Sequence, residues 1–334
     1  MSRPRAQRAL LTLFGLLLVA VAATSIRPAV RSSGPIEHRV AHVDERKVEV
    51  AVRSVSSRDV LFDESFRVRE GGELTVDLGS ESVTVRTVRG DRARVIVEGD
   101  GRDAEVEFER RRFSARADGA DLVVRTDPPR RRWSMTRTDA RFRVTVEIPR
   151  RYSADIDLGS GSVDVASLMG DLRVDVGSGS VRVEDVEGDE ISLDTGSGSV
   201  RAQTLRGDVR IDTGSGSVSV DRVYGPLSVD TGSGSVSVGE VDGETHIDTG
   251  SGGVSMTLRS AAASRVSTGS GSVELRLPRG AGFDVDLDGG SVRIDEALGF
   301  SGHRERDEAR GRLGRGGPML SVGTGSGTIR LVTG

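Results

Sequence analysis

The stretch RIDTGSGSVSV, residues 210–220, places two short apolar–polar alternations on either side of a glycine turn. Ile211 alternates with polar residues before the turn, and Val218 and Val220 alternate with serine after it. Alternation with a period of two, β-branched residues and glycine punctuation are typical of β-strands. The stretch therefore predicts two strands joined by a tight turn.

The same unit recurs along most of the chain. The valine that follows each glycine turn is found at Val163, Val181, Val200, Val218, Val236, Val254, Val273 and Val292. The intervals are 18 or 19 residues throughout, and degenerate copies lie at 76–85 and 321–331. Self-similarity at a fixed period of this size is typical of stacked repeat proteins.

These repeats predict an all-β fold, a single-stranded β-solenoid with 18–19-residue coils. No repeat contains a helical segment, so stacking like positions about 4.8 Å apart is the simplest way to bury one apolar face per strand. We expect right-handed winding, which parallel crossovers almost always have. Aromatic residues make up only 3% of the chain and cysteine is absent, which indicates a narrow aliphatic core without disulfides.

The Asp-Thr-Gly-Ser sequence within the unit resembles the catalytic loop of aspartic proteases. Those enzymes bring two such loops face to face so that two carboxylates share a proton. Here four copies follow one another in series, at Asp194, Asp212, Asp230 and Asp248. Stacked coils would place these carboxylates in a ladder along one edge, which excludes a facing catalytic pair.

The aspartate ladder has two interpretations at this stage. Each carboxylate could accept a backbone N–H of the following glycine turn, as Asp side chains do in Asx turns. Alternatively, Asp194, Asp212, Asp230 and Asp248 could hold Ca²⁺ between consecutive coils, as in calcium-binding repeat proteins. The first interpretation predicts turn-capping residues, and the second predicts a metal site.

The N-terminus predicts export. Arg3, Arg5 and Arg8 precede an apolar run over 10–23 that ends in small residues, the pattern of a secretory signal peptide. Residues 1–23 are therefore expected to be a signal peptide or, if uncleaved, an N-terminal membrane anchor, followed by a linker over 24–42. The protein would then be periplasmic, on the cell surface or membrane-anchored facing outside the cytoplasm.

The remaining chain divides into four segments. Residues 43–151 contain longer strand candidates, including AEVEFERRRFSARA at 104–117, and predict an irregular β region that caps the solenoid. Residues 152–295 are the solenoid repeats, 296–318 a charged loop or marginal helix inserted between coils, and 319–334 the final coil. The last strand candidate, TIRLVTG at 328–334, is expected at the terminal edge, where it could support end-to-end self-association.

Charge is segregated along the chain. Residues 110–151 hold 13 Arg against 5 acidic residues, and 152–258 hold 6 Arg against 19. The basic segment includes Arg130, Arg131, Arg132 and the single tryptophan, Trp133, which form a candidate contact surface for anionic envelope polymers or phospholipid headgroups. The alternative is a solvated sheet whose arginines pair with the acidic repeats. A net charge of −4 on an exported chain argues against nucleic acid as a partner.

No residue pattern indicates catalysis. The four histidines are His38, His42, His246 and His303, and none has a partner at the spacing of a metal site or catalytic triad. The glycine turns are followed by strands, whereas phosphate loops and nucleophile elbows are followed by helices. We expect no cofactor and no enzyme activity; a polysaccharide-acting β-helix enzyme is the alternative.

Three stretches resemble one bacterial family. GGELTVDLGSESVTV at 71–85, VTVEIPRRYSADIDLGSGSV at 144–163 and units such as GDVRIDTGSGSV at 207–218 are similar to β-strand-repeat proteins described as "putative adhesins", a domain of unknown function. The resemblance covers about residues 60–334. It implies an exported envelope protein and carries over no catalytic or binding residue.

Together these observations predict a non-enzymatic scaffold that presents ladders of Ser, Thr and Asp to a glycan or an anionic envelope polymer. A structural or envelope-stress accessory role fits the same residues.

Overall fold

The computed structural model describes residues 59–126 and 139–334. These residues belong to one compact unit, 55–334. Before the repeats the strands are β1 Asp59–Arg67, β2 Glu73–Leu78, β3 Ser82–Val88, β4 Arg92–Asp100, β5 Phe113–Asp118, β6 Asp121–Thr126 and β7 Arg141–Pro149. A helix, α1, spans Ala104–Arg111 between β4 and β5.

The repeats form β8 Ser153–Ser160, β9 Val163–Met169, β10 Leu172–Ser178, β11 Val181–Ser197, β12 Val200–Ser215, β13 Val218–Tyr224, β14 Leu227–Ser233, β15 Val236–Asp242, β16 Thr245–Ser251, β17 Val254–Leu258, β18 Ser264–Thr268 and β19 Val273–Leu277. The C-terminal part contains β20 Phe283–Asp288, β21 Ser291–Ile294, a 3₁₀ helix Glu296–Leu298, β22 Phe300–Arg304, β23 Glu308–Leu313, β24 Met319–Thr324 and β25 Thr328–Thr333.

Each coil contributes one strand to each of two ladders. Ladder 1 runs in the order β5, β6, β2, β8, β10, β11, β12, β14, β16, β18, β24, β20, β23, β22. Ladder 2 runs β1, β4, β7, β3, β9, β11, β12, β13, β15, β17, β19, β25, β21. The long strands β11 and β12 belong to both ladders, because each continues around the corner of its coil. The predicted all-β solenoid fold is confirmed.

Like residues stack on like residues in the core. Val181 pairs in parallel with Val163 and Val200, and Ile191 pairs with Val209. All five side chains are fully buried. Burying an aliphatic side chain of this size contributes roughly 1.5–3 kcal/mol, so the period-two pattern of the sequence accounts for the shared core of the two ladders.

The sequence order predicts that the final coil lies at the end of the stack. The structure places it between other coils. β24 lies between β18 and β20, and β25 lies between β19 and β21. The expectation that 328–334 forms a terminal edge was therefore wrong, because both sides of β25 are paired. The free edge strand at this end of ladder 1 is β22, which is rich in polar residues.

The N-terminal end has the same interleaved order. β2 and β3 pair with β8 and β9, although β6 and β7 come between them in sequence. β6 and β7 instead lie on the outer side of β2 and β3. Antiparallel strands then cover this end: β5 pairs with β6, β4 pairs with β7, and β1 pairs with β4. Covered ends reduce edge-to-edge aggregation.

Two segments differ from their predicted structure. The strand candidate at 104–117 begins as helix α1, whose Ala104 is buried and whose Phe108 packs against the core one turn later. The segment 296–318, expected to be a loop or marginal helix, contains the 3₁₀ helix and the antiparallel β22–β23 hairpin. Ala309 and Leu313 of that hairpin are fully buried, so apolar side chains fix a segment whose charges suggested a loop.

Candidate functional site

The four aspartates singled out in the sequence belong to a longer column on ladder 1. Seven carboxylates are paired strand to strand in register, one from each of seven neighbouring strands. They are Asp77, Asp157, Asp175, Asp194, Asp212, Asp230 and Asp248. Neighbouring strands in a sheet lie about 4.8 Å apart, so this column is a row of like charges along the solenoid.

Two members of the column have a raised pKa. The pKa of Asp194 is raised mainly by partial burial and then by the carboxylates of Asp175 and Asp212, against a smaller lowering by Arg173. The pKa of Asp157 is raised by burial and by Asp175, Asp77 and Asp155. Burial and like charges both disfavour the ionised form.

The turn-capping interpretation of these aspartates was wrong. Within the described residues, Asp194, Asp212, Asp230 and Asp248 make no hydrogen bond to a turn N–H. The following threonines form the bonds to the turns. The hydroxyls of Thr195, Thr213 and Thr249 donate to glycine carbonyls of the preceding coil at 3.3–3.4 Å. All three threonines are buried, so the turn is held from inside the coil.

The calcium interpretation stays a prediction. Asp194, Asp212, Asp230 and Asp248 lie in a straight column, one from each strand. In the described part of the chain, no group of three or more His, Asp or Glu side chains is arranged to hold a metal ion. Ca²⁺ takes six to eight oxygen ligands, so a single column would need ligands from other groups.

The second predicted contact surface, Arg130, Arg131, Arg132 and Trp133, lies outside the described residues. The structure does test the pairing expected for neighbouring arginines. Arg111 pairs with Glu81 and Glu107, and Arg110 with Glu107. These carboxylates precede the repeats, so the ion pairs among described residues do not join Arg110 or Arg111 to the acidic solenoid.

A groove of about 790 Å³ crosses the outer face of ladder 2. Residues of seven consecutive strands line it: β4, β7, β3, β9, β11, β12 and β13. The outward-pointing residues of the lining are Ile96, Glu98, Arg143, Thr145, Glu147, Thr84, Arg86, Asp164, Ala166, Arg182, Glu184, Arg201, Gln203, Ser219 and Asp221. We call this surface the ladder 2 groove.

The groove is built from columns of side chains. In one column Asp164, Arg182, Arg201 and Ser219 are paired in register across four strands. A second column, two residues further along the same strands, consists of Ala166, Glu184, Gln203 and Asp221. The short side chain of Ala166 leaves the floor low, while the longer residues around it form the walls.

Charges in the groove are nearly balanced. Its lining contains four arginines and five carboxylates. Arg182 and Asp164 approach to 3.6 Å, while Arg201 and Glu184 form no ion pair with any described residue. Both are exposed, so their donors and acceptors face solvent. The groove therefore offers hydrogen bonding without a strong net field.

The groove was not predicted from the sequence. Its signal lies in the columns obtained by aligning the coils: positions 164, 182, 201 and 219 change from Asp to Arg to Arg to Ser. The prediction was based on positions that are the same in every repeat. The groove is formed by outward-pointing residues that differ from one repeat to the next.

The two described histidines lie away from the groove. His246 is on ladder 1, where it pairs in register with Ser228 and Arg265. His303 is on the β22–β23 hairpin, with its Nε2 atom 3.1 Å from Glu305 Oε1. Across 59–126 and 139–334, no helix combines the length and apolar character needed to cross a membrane.

Residues 71–332 match the family model of the Toastrack domain, DUF4097. The chain belongs to this family. The match confirms the resemblance to β-strand-repeat proteins of unknown function that the repeat units indicated. No curated protein matches the chain.

Three solved structures align with most of this chain. A "putative adhesin" from Bacteroides fragilis is 12% identical, with 83% of this chain and 99% of that chain covered and a TM-score of 0.34. A "putative cell adhesion protein" from Clostridium sporogenes is 10% identical, with 82% and 99% covered and a TM-score of 0.20. A "putative lipid binding protein" from Parabacteroides distasonis is 11% identical, with 81% and 96% covered and a TM-score of 0.32.

Proposed function

We propose that this Toastrack protein is an exported, non-enzymatic scaffold of the bacterial cell envelope that binds an envelope polymer. The observation that carries the proposal is the ladder 2 groove, which is about 790 Å³ in volume and is lined by seven consecutive strands. Ligand sites are concave, and a small number of placed polar groups fixes the orientation of the ligand. Here it is built on a rigid hydrogen-bonded stack.

Export is supported by the N-terminal sequence. The basic residues before the apolar run over 10–23 have the order of a signal peptide or anchor. The protein would accordingly act in the periplasm, at the cell surface or from a membrane anchor. A polymer of the envelope is the partner that such a location supplies.

A binding role is favoured over catalysis by the groove chemistry. The lining contains carboxylates, guanidinium groups, hydroxyls and an amide, with no histidine or lysine among its residues. Arginine stays protonated at all physiological pH values, so it binds and orients ligands but does not exchange protons.

Co-sedimentation with insoluble envelope isolated from the producing bacterium tests the proposal. Ala166→Trp fills the floor of the groove, and Ser237→Trp adds the same ring to the same face outside it. We expect the full chain and the Ser237→Trp variant to sediment with the envelope and Ala166→Trp to remain in the supernatant. Equal sedimentation of the two variants, or no sedimentation of the unmodified chain, would contradict the proposal.

A further inference from the structure

We propose that the ladder 2 groove binds an uncharged linear glycan lying along the solenoid axis. The inference rests on the proposed function and specifies the ligand class of the same site. It follows from four properties of the groove: its direction, the full pairing of its backbone hydrogen-bonding groups, its charge balance and its mixture of donors and acceptors.

The groove runs across strands. Its lining begins at Ile96 and Glu98 on β4 and ends at Ser219 and Asp221 on β13. Six intervals of about 4.8 Å between seven strands give a length of roughly 29 Å. Its width is set by columns two residues apart along each strand, which is about 7 Å. These dimensions suit an extended chain molecule lying perpendicular to the strands.

The backbone of the groove has no free hydrogen-bonding edge. Every strand that lines it is paired on both sides, from β4 between β1 and β7 to β13 between β12 and β15. Peptides bound as added strands need an exposed edge whose N–H and C=O groups are unpaired. A ligand in the groove therefore meets side chains only, which disfavours an extended peptide.

Charge and polarity exclude two other polymer classes. Five carboxylates against four arginines give a lining with a net charge of −1, so a polyanion gains no net attraction. Ile96 is the one large apolar side chain among the outward-pointing residues of the lining, so a lipid chain gains little burial. An uncharged, hydroxyl-rich polymer depends neither on net charge attraction nor on apolar burial for its binding.

The groove presents hydrogen-bond donors and acceptors side by side. Across neighbouring strands Asp164 accepts, Arg182 and Arg201 donate, and Ser219 does both. In the second column Glu184 and Asp221 accept, while Gln203 donates and accepts. Sugar hydroxyls also donate and accept, and hydrogen bonds to ionised partners are the stronger kind. The low floor at Ala166 leaves room for a ring.

Isothermal titration calorimetry of the full chain tests the inference. The probes are three neutral hexasaccharides, cellohexaose, chitohexaose and laminarihexaose, and one anionic hexasaccharide, hexagalacturonate. The groove variants are Arg201→Ala on β12 and Glu184→Gln on β11. Their matched controls, Arg210→Ala and Glu190→Gln, are exposed residues of the same two strands that point from ladder 1.

We expect at least one neutral hexasaccharide to bind. Each groove variant should weaken that binding about tenfold, in line with the loss of one charge-assisted hydrogen bond, and the controls should leave it unchanged. Binding of hexagalacturonate alone, no binding of any neutral probe, or equal losses in the controls would overturn the glycan inference. Loss of envelope binding in Ala166→Trp would still support the proposed function in each of those cases.

Discussion

At the scale of single residues, glycine sets how closely the coils stack. A Cβ atom added to Gly198 would lie 1.7 Å from the carbonyl oxygen of Gly179, and one added to Gly179 would lie 1.6 Å from that of Gly161. No side chain can occupy such a space, so the second glycine of each turn is required by contact with the coil before it. This requirement explains why the Gly-Ser-Gly turn is the most regular part of the repeat.

Substitution in this glycine column should be costly. Gly198→Ala forces the backbones of two coils apart, and we expect it to lower the free energy of unfolding by about 3 kcal/mol, at the upper end for overpacking. Gly253→Ala is the control, because serine occupies the equivalent position at Ser235 and the nearest atom is 3.4 Å away. Urea unfolding measures both; equal effects would contradict the contact argument.

The aspartate column gives a pH dependence with a defined sign. Because the folded-state pKa of Asp194 is raised, its protonation favours the folded state. The stability gained by protonation is therefore fully present below the unfolded pKa, near 3.8, and is lost as the pH rises through the raised folded pKa. Asp194→Asn mimics the protonated form.

We accordingly expect Asp194→Asn to be more stable than the unmodified chain at pH 7, by up to about 1 kcal/mol, the size of an unscreened neighbour repulsion in water. The difference should disappear below about pH 4, where the natural carboxylate is itself protonated. Thermal unfolding at a series of pH values provides the measurement. A variant that is less stable at pH 7 would show that the carboxylate has a favourable partner.

At the scale of elements, a buried ion pair holds helix α1 to the first coil. Glu81 is only 2% exposed, although it stands where the next coil has Gly161. Its carboxylate contacts Arg111 and accepts the Ser80 N–H at 2.8 Å. Arg111 also lies 4.7 Å from the centre of the Phe142 ring. The glycine column thus ends at a carboxylate that joins the turn to the helix.

Removal of this carboxylate should loosen the N-terminal end. Glu81→Ala leaves Arg111 without its closest partner and the Ser80 N–H unpaired, and we expect a loss of about 2 kcal/mol, below the full cost of breaking a buried pair because Arg111 is partly exposed. Glu109→Ala, an exposed residue of the same helix, is the control. Equal melting temperatures for the two variants would mean that the pair adds nothing to stability.

Only part of the secondary structure could be predicted from the sequence. The strands of the repeats and the core positions followed from period-two alternation, since Val163, Val181 and their equivalents face one interior. Helix α1 was missed because glutamates alternate with apolar residues over 104–109, as in a strand. The β22–β23 hairpin was missed because only Ala309 and Leu313 are buried among many charges.

At the scale of the whole molecule, the order of coils in space differs from their order in sequence at both ends. Sequence could not reveal this, because near-identical coils can stack on one another in several orders. The glycine contacts record the actual order: a Cβ added to Gly327 would lie 1.7 Å from the carbonyl oxygen of Gly271. The groove was missed for a related reason, since it exists only when columns from seven strands are brought together.

In the interleaved order, the last coil joins β18 and β19 to β20 and β21. Deletion of 319–334 removes β24 and β25 from between the strands that they join, so β20 and β21 lose their parallel partners. We expect limited proteolysis followed by mass spectrometry to show cleavage within 278–318 in the truncated chain, with that segment protected in the full chain. Protection of 278–318 after truncation would indicate that β20 and β21 can pair directly with β18 and β19.

The two ladders of the solenoid carry separate sets of exposed carboxylates, so one measurement can show which ladder binds the envelope. Carbodiimide footprinting labels exposed carboxylates, and mass spectrometry can compare the full chain alone with the chain bound to isolated envelope. We expect Glu184 and Asp221 of the ladder 2 groove to lose labelling on binding, while Asp194 and Asp212 of ladder 1 label as before. Protection of the aspartate column with unchanged labelling of the groove would contradict this expectation and place the binding surface on the opposite face.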